Sequence, residues 1–356
     1  MRLALDARHA ARGFGIATML TALATRLVAR DDIELIWCGD PRLAPPGTAE
    51  VIDLRRWPYP LFDSAVGKAV VRGQRADVLH LTGNTGWGGS WQPVPFVLTI
   101  HDLIFLRTTI GNRGLRQVVG HRYARRNVRR AACRAAVVAV PSRHTAAAVT
   151  AELDGVKRLE LIYQGVDQHG SHGRARATDP YVVAFSGRDP RKGVDLVLHA
   201  LRAAGLPDWR LKVLAGAGLP DGFEDLAAAD VASGRVEILD YVPRSELIST
   251  LQSARAVAYA SRDEGFGLPV LDAMAAGVPV ITGLAPVTRE VAGDAALMID
   301  PADPVPSMAA ALRRLAREPV LAEGLAERGR ARAAEFSWDR MAEQYVRLYR
   351  DVLEAR

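Results

Sequence analysis

The sequence predicts an α/β protein of two doubly wound units, each a parallel sheet covered by helices. Three observations predict it. Short apolar runs alternate with helical patterns along the chain, the signature of parallel strands joined by crossover helices. The alternation falls into two sets of similar size, separated by a stretch rich in helix and strand breakers. The chain also has 356 residues, beyond the roughly 250 to 300 at which a single core stops growing.

The chain opens as strand, glycine loop and helix: Leu3-Ala4-Leu5 is apolar, Gly13 and Gly15 follow, and Met19, Leu20, Leu23 and Leu27 recur at helical spacing. Further buried strands are predicted over 33–38, 78–81, 96–100 and 135–140. The second set predicts strands over 181–186, 211–215, 236–239, 256–259 and 278–282, separated by helical stretches. Between the sets, Gln168 to Pro180 shows no apolar periodicity, and the linker is placed at 169–180. The first unit is therefore 1–168 and the second 181–337. Trp338, Met341, Tyr345, Leu348 and Val352 form one apolar stripe, predicting a closing helix over 338–356 that packs back on the first unit. In open α/β sheets ligands bind at the carboxyl ends of the strands, so the active site is expected where two such edges face each other across a cleft.

Composition narrows the function classes. The chain is 49% hydrophobic and 24% charged, ordinary for a soluble protein. Two cysteines, Cys38 and Cys133, supply neither a disulfide framework nor a cysteine-rich metal site, and they fit a reducing compartment. Met1 to Asp6 lacks the apolar core of a signal peptide, and no run reaches the about 18 apolar residues of a membrane span. A cytoplasmic location, at most peripheral to the inner face of the membrane, is expected. The net charge of +6 is unevenly placed: residues 103–151 hold ten Arg and no Asp, Glu or Lys, which leaves −4 for the rest.

The densest chemistry lies in Ser261-Arg262-Asp263-Glu264-Gly265-Phe266-Gly267-Leu268-Pro269-Val270-Leu271-Asp272. Pro269 suits the first turn of a helix, so the glycine-rich loop before it would present free backbone N–H groups and the positive helix end to an anion. Glu264 stands at the loop entrance and Asp272 just inside the helix. Read alone, the two acids serve a solvated loop and a helix start equally well. Arg188 and Lys192 follow the strand over 181–186 and precede a helix from Val194. Two cations and a helix N-terminus there can converge on a diphosphate, although taken alone such a loop reads more readily as solvated. His101-Asp102 ends the strand over 96–100, where a ligand edge is expected, and His suits a sugar hydroxyl or proton transfer as well as a capping role. Gly13-Phe14-Gly15-Ile16 is not G-x-G-x-x-G, because Thr18 stands at the third position, and Gly216-Ala217-Gly218 also lacks the last glycine. A dinucleotide-dehydrogenase reading loses its main support.

The run from Glu264 through Asp272 and on to Gly277-Val278-Pro279-Val280 closely resembles the signature of family 4 retaining glycosyltransferases of the GT-B fold, a group that includes bacterial mannosyltransferases. The resemblance extends over Ala4-Leu5-Asp6-Ala7-Arg8, Gly13 to Ile16, Thr99 to Leu103, Val140-Pro141-Ser142, Ile162 to Asp167, Gly187-Arg188, Arg191-Lys192-Gly193 and Tyr241-Val242-Pro243. It implies two Rossmann-like domains facing each other across a cleft, an acceptor-binding N-terminal one and a C-terminal one that binds a nucleotide sugar. It implies donor-diphosphate contacts from Arg188, Lys192 and Gly15, with Arg191 assisting or turned outwards. Glu264, Gly265, Phe266, Gly267 and Leu268 are matched to the donor sugar, and His101 and Glu264 to the reacting centre. Asp102 is then an acceptor-side or loop-orienting residue. Asp272 is matched to the ribose, one methylene shorter than the family's usual Glu. Glu290 is structural or ribose-adjacent. Replacing Glu264 or Lys192 by Ala is expected to cut turnover with little loss of folding stability.

The expected reaction is transfer of a sugar from GDP-mannose or a UDP-sugar to a hydroxyl of a sugar, lipid-linked or small-molecule acceptor, with retention. No cofactor and no metal are expected: leaving-diphosphate charge would be met by fixed cations and backbone dipoles, and no D-x-D metal motif occurs. Another sugar-nucleotide enzyme on the same fold, an epimerase or phosphorylase, and a non-catalytic anion-binding or membrane-binding protein remain the other readings. The arginine-rich stretch over 113–134 reads as a solvated face, a site for an acidic acceptor or an anchor to acidic lipids. Nucleic acid is not expected as a partner, since only Tyr123 interleaves an aromatic ring. Six Trp, among them Trp37, Trp57, Trp87 and Trp91, read as packing before sugar stacking.

Overall fold

The structure, a computed structural model, describes residues 1–12, 15–54, 75–85, 94–107, 115–169 and 180–355. Gly13, Phe14, Trp57, Trp87, Trp91, Arg113 and residues 170–179 of the assigned linker lie outside the described residues.

The chain divides into two compact units, Met1–Gly165 with Ser337–Arg356, and Val166–Phe336. The first holds a seven-stranded parallel sheet of β1 (Arg2–Ala7), β2 (Glu34–Gly39), β3 (Glu50–Asp53), β4 (Val78–Leu81), β5 (Phe96–Thr99), β6 (Val137–Val140) and β7 (Leu159–Leu161), in the order β3-β2-β1-β4-β5-β6-β7. Among the described residues its helices are α1 (Ile16–Val28), α2 (Ile104–Arg107), α3 (Leu115–Arg134) and α4 (Arg143–Glu152). Central strands such as Val-Val-Ala-Val and Phe-Val-Leu-Thr are buried throughout, because helices on both faces require near-continuous apolar runs.

The second unit holds a six-stranded parallel sheet of β8 (Tyr181–Phe185), β9 (Arg210–Leu214), β10 (Val236–Leu239), β11 (Ala256–Ala258), β12 (Val280–Thr282) and β13 (Ala296–Met298), ordered β10-β9-β8-β11-β12-β13. Its helices are α5 (Val194–Ala204), α6 (Phe223–Ala232), α7 (Arg244–Ser253), α8 (Leu268–Ala275), α9 (Pro286–Ala292), α10 (Pro304–Arg317) and α11 (Pro319–Ala334). Both sheets reverse direction of travel at one point, between β1 and β4 and between β8 and β11. That is where an open parallel sheet forms a ligand crevice.

The chain ends in α12 (Trp338–Glu354), which belongs to the first unit. Ser337 caps it by accepting from the backbone N–H groups of Asp339 and Arg340, and its stripe buries Trp338, Met341, Tyr345, Leu348, Tyr349 and Val352. A buried polar bridge fixes this helix to the sheet: His80 Nε2 meets Thr99 Oγ1 at 2.8 Å, Thr99 Oγ1 meets Tyr345 OH at 2.9 Å, and Tyr349 OH meets His80 Nδ1 at 2.7 Å. Burial lowers the His80 pKa to about 3, so the ring is neutral and pairs with hydroxyls on both nitrogens. Among the described residues no helix is long and apolar enough to cross a membrane.

Candidate active site

The loops at the reversal point of the second sheet carry most of the residues singled out by sequence. Following β8, Asp189 caps a short 3₁₀ turn, Pro190–Lys192, and Gly193 then opens α5 with φ +68°. Only glycine fits there: a Cβ would stand 2.5 Å from the Ala260 carbonyl oxygen, and left-handed backbone disfavours other residues. This close approach sets Lys192 beside the loop that follows β11.

Glu264 is the centre of that loop. Its Oε1 accepts from Lys192 Nζ at 2.6 Å, Ser261 Oγ at 2.6 Å and Tyr259 OH at 2.8 Å, with Arg191 Nη1 at 3.0 Å. Among the described residues its Oε2 has no hydrogen-bond partner. Burial alone would raise this carboxyl group, but the charges of Lys192 and Arg191 and the hydrogen bonds from Lys192 and Ser261 outweigh it and hold the pKa below the usual carboxylate range. Glu264 is thus an ionised acceptor, pinned through one oxygen and open at the other. This geometry corrects one expectation. Removing the carboxylate would strand three hydrogen-bond donors and an ion-paired guanidinium in a largely buried place, so Glu264→Ala is expected to cost folding stability, and Gln is the informative replacement.

Arg191 turns inwards, towards Glu264 and the Asp263 carbonyl oxygen. Arg188 is exposed, its stem resting over Gly218, where a Cβ would come within 2.7 Å of Arg188 Cγ. Among the described residues Arg188 makes no ion pair. Ser186 Oγ, buried at the end of β8, likewise has no hydrogen-bond partner among the described residues.

Gly267, with φ +112°, precedes α8, and Pro269 occupies its first turn without any side-chain cap. The Phe266 ring is 4% exposed and packs edge-on against Phe336 at 6.0 Å, so its ring belongs to the core. Any ligand contact from Phe266 is left to its backbone. Asp272 faces Arg244 at the start of α7 in a two-point fork, Nη1 to Oδ2 at 2.8 Å and Nη2 to Oδ1 at 2.6 Å. The inner edge of this carboxylate is therefore occupied. The Glu290 carbonyl oxygen accepts from Arg332.

In the first unit, His101 is fixed at four points. Its backbone N–H donates to Asn84 Oδ1, its carbonyl oxygen accepts from Thr145 Oγ1, its Nε2 donates to the Thr82 carbonyl oxygen at 2.9 Å, and Gln164 Nε2 donates to its Nδ1 at 3.3 Å. A carbonyl can only accept, so the proton sits on Nε2. Burial, partly offset by the Thr82 carbonyl, lowers its pKa to about 4. The ring is neutral, and as a base it is too weak for proton transfer near neutrality. Asp102 accepts from the Ile104 N–H and starts α2. Gly15 precedes α1 with φ +21°. Asp6 and Arg8, at the end of β1, form a buried pair, Nε to Oδ1 at 2.8 Å and Nη2 to Oδ2 at 2.9 Å.

The structure thus brings Glu264, Lys192 and Arg191 into one cluster with Tyr259 and Ser261, and separately sets Arg244 against Asp272; none of Tyr259, Ser261 and Arg244 was assigned from sequence. Ser261 opened the segment already singled out. Tyr259 was legible only as a polar-tipped residue ending a buried strand, and Arg244 only as the residue after Val242-Pro243.

Two parallel sheets with this strand order, each covered by helices, define a doubly wound, Rossmann-like α/β class. Residues 15–169 match Glycosyltransferase Family 4, and residues 171–332 match Glycosyl transferases group 1. The chain belongs to the family 4, group 1 glycosyltransferases, with the GT-B fold. It is 32% identical over 175 residues to O-antigen chain mannosyltransferase B of Escherichia coli, covering 48% of this chain and 45% of that one. It is 36% identical over 213 residues to D-inositol 3-phosphate glycosyltransferase of Mycolicibacterium paratuberculosis, covering 54% and 47%. The chain spans about half the length of these curated relatives. Sucrose-phosphate synthase from Thermosynechococcus elongatus is similar in structure with a TM-score of 0.83 over 100% of both chains, at 22% identity, a likeness of fold alone.

Proposed function

We propose that this chain moves a hexosyl group from a nucleoside diphosphate sugar to an acceptor hydroxyl, with retention and without a metal. The observation that carries the reading is Glu264, ionised, held on Oε1 by three hydrogen bonds and the Arg191 ion pair and open at Oε2, beside Lys192 at the reversal point of the second sheet. An open carboxylate oxygen accepts a sugar hydroxyl. Arg188, Lys192 and the N-terminus of α5 supply positive charge for a diphosphate. As the anomeric bond breaks, negative charge grows on the leaving diphosphate, and cations fixed in advance stabilise that state more than the ground state.

The second unit in this reading holds the donor and the first the acceptor. Glu264 binds the sugar and does not act as a base, since its carboxyl group is held in the ionised, weakly basic range. Gly265 to Leu268 supply backbone groups and Asp272 an outer oxygen edge for the ribose, while His101, whose ring nitrogens are both engaged, and Asp102 orient their loop. GDP-mannose and UDP-sugars are the donors to test first. The relative named as a mannosyltransferase supports the former. The exposed stripe Arg122, Arg126, Arg129, Arg130 and Arg134 on α3 carries no ion pair among the described residues, and in this reading it makes peripheral contact with an anionic lipid surface.

The test is radiolabelled transfer from GDP-mannose, UDP-glucose and UDP-N-acetylglucosamine to simple acceptors, in excess chelator. Product formed with Glu264→Gln reduced at least tenfold supports the reading. Turnover that stops in chelator, or that is unchanged in Glu264→Gln, would overturn the metal-independent and sugar-binding parts respectively.

A further inference from the structure

Glu264 Oε1 is held by three hydrogen-bond donors, Lys192, Tyr259 and Ser261, and by the Arg191 ion pair, and these four groups are of two kinds. Lys192 and Arg191 are cations on the loop before α5, the loop that the proposed function gives to the donor diphosphate. An arriving diphosphate competes with Glu264 for them, since each ammonium or guanidinium hydrogen serves one acceptor well. Tyr259 and Ser261 are neutral, and an arriving anion has no charge on them to attract. They are also rooted differently. Tyr259 follows β11, its N–H donates to the Ile281 carbonyl oxygen at 2.8 Å, and its own carbonyl oxygen accepts from Thr282 Oγ1 at 2.9 Å. Its ring is 1% exposed and stands edge-on to Phe185 at 6.2 Å. The hydroxyl at the end of this immobilised ring donates to Oε1 at 2.8 Å and lies 3.4 Å from Lys192 Nζ.

We propose that Tyr259 is the positioning residue of the donor site: with Ser261 it keeps Oε1 of Glu264 anchored when Lys192 and Arg191 turn to the diphosphate, and so keeps Oε2 presented to a donor-sugar hydroxyl. The role rests on the proposed function. It needs the hydroxyl to remain protonated, and burial together with the Glu264 charge holds the phenol well above its ordinary pKa. No bond is made or broken by Tyr259. It acts through Glu264, and its loss leaves the diphosphate cations in place.

Tyr259→Phe keeps the ring and removes the donor, and Ser261→Ala removes the second neutral donor as a parallel probe. The Glu264 carboxyl signal in protein labelled with ¹³C-carboxyl glutamate, identified by its disappearance in Glu264→Gln, reports the hold directly. The groups that face this carboxylate are Lys192, Arg191, Tyr259 and Ser261. Loss of one donor raises its titration midpoint, by roughly half a unit or more. In turnover, Tyr259→Phe is expected to lower kcat about tenfold while nucleoside diphosphate Kd changes less than about twofold, and to add nothing in a Glu264→Gln background. An unchanged carboxyl midpoint, or equal losses in the wild-type and Glu264→Gln backgrounds, would overturn the inference. If wild-type protein transfers no sugar while the midpoint still rises, the proposed function falls and the hold of Tyr259 on Glu264 stands.

Discussion

His80 and His101 are buried as neutral rings, and that choice has a pH cost. Burial lowers their pKa to about 3 and about 4, whereas an unfolded histidine takes its proton near 6.5. Between those limits the unfolded chain binds more protons than the folded one, so stability falls as pH falls below about 6.5, by about 1.4 kcal/mol per pH unit for each ring. Urea midpoints of the wild type and His80→Gln between pH 6.5 and 4.5 check this: the variant should lose about half of the slope, and an unaltered slope would contradict the assignment. Arg244 and Asp272 make a second residue-level prediction. Arg244→Ala leaves a carboxylate that is 8% exposed without its fork and should cost about 1 to 3 kcal/mol, the guanidinium being partly exposed. Adding Asp272→Asn should recover part of that loss in the same melting assay. Glu264 and Lys192 were marked by the family resemblance, since their residue types read alone fit a solvated loop as readily. Arg244 was hidden because its partner lies 28 residues away, and only the packing of α7 against α8 brings them together.

At the scale of elements, legibility followed burial. The central strands were readable as apolar runs because helices cover both faces. Glu50–Asp53, Leu159–Leu161 and Ala296–Met298 were not predicted: each lies at a sheet edge, is three or four residues long and is only partly buried, so its sequence carries little of the pattern that burial imposes. The turn before α5 makes the clearest element-level prediction. Gly193→Ala places a methyl group on the Ala260 carbonyl and forces a left-handed alanine, costing at least ~1–2 kcal/mol from the backbone alone. By displacing Lys192 it should also weaken nucleoside diphosphate binding, which calorimetry reads. For α3, sedimentation with phosphatidylglycerol vesicles at low salt should fall when Arg126, Arg129 and Arg130 are changed to Gln, and in 0.5 M salt. Binding that ignores both changes would remove the stripe from the account.

At the scale of the whole molecule, the two-unit organisation was legible in chain length and in the doubled alternation of strand and helix. The division falls between Gly165 and Val166, with α12 returned to the first unit. Its stripe of apolar residues was readable, but its polar anchoring was not. Tyr345 and Tyr349 find Thr99 and His80 at sequence separations of 246 and 269 residues, pairings set by topology. In the proposed function the second unit binds a nucleoside diphosphate with its own cations. Thermal melting of the full chain with GDP, UDP, ADP and dTDP in excess chelator tests it most directly, because a ligand that binds only the folded state stabilises it by about 2.7 kcal/mol at a hundred times its Kd. The expected result is a clear rise in Tm with at least one nucleotide, retained in chelator and lost in Arg188→Ala combined with Lys192→Ala. No rise with any of the four, or a rise abolished by chelator, would contradict it.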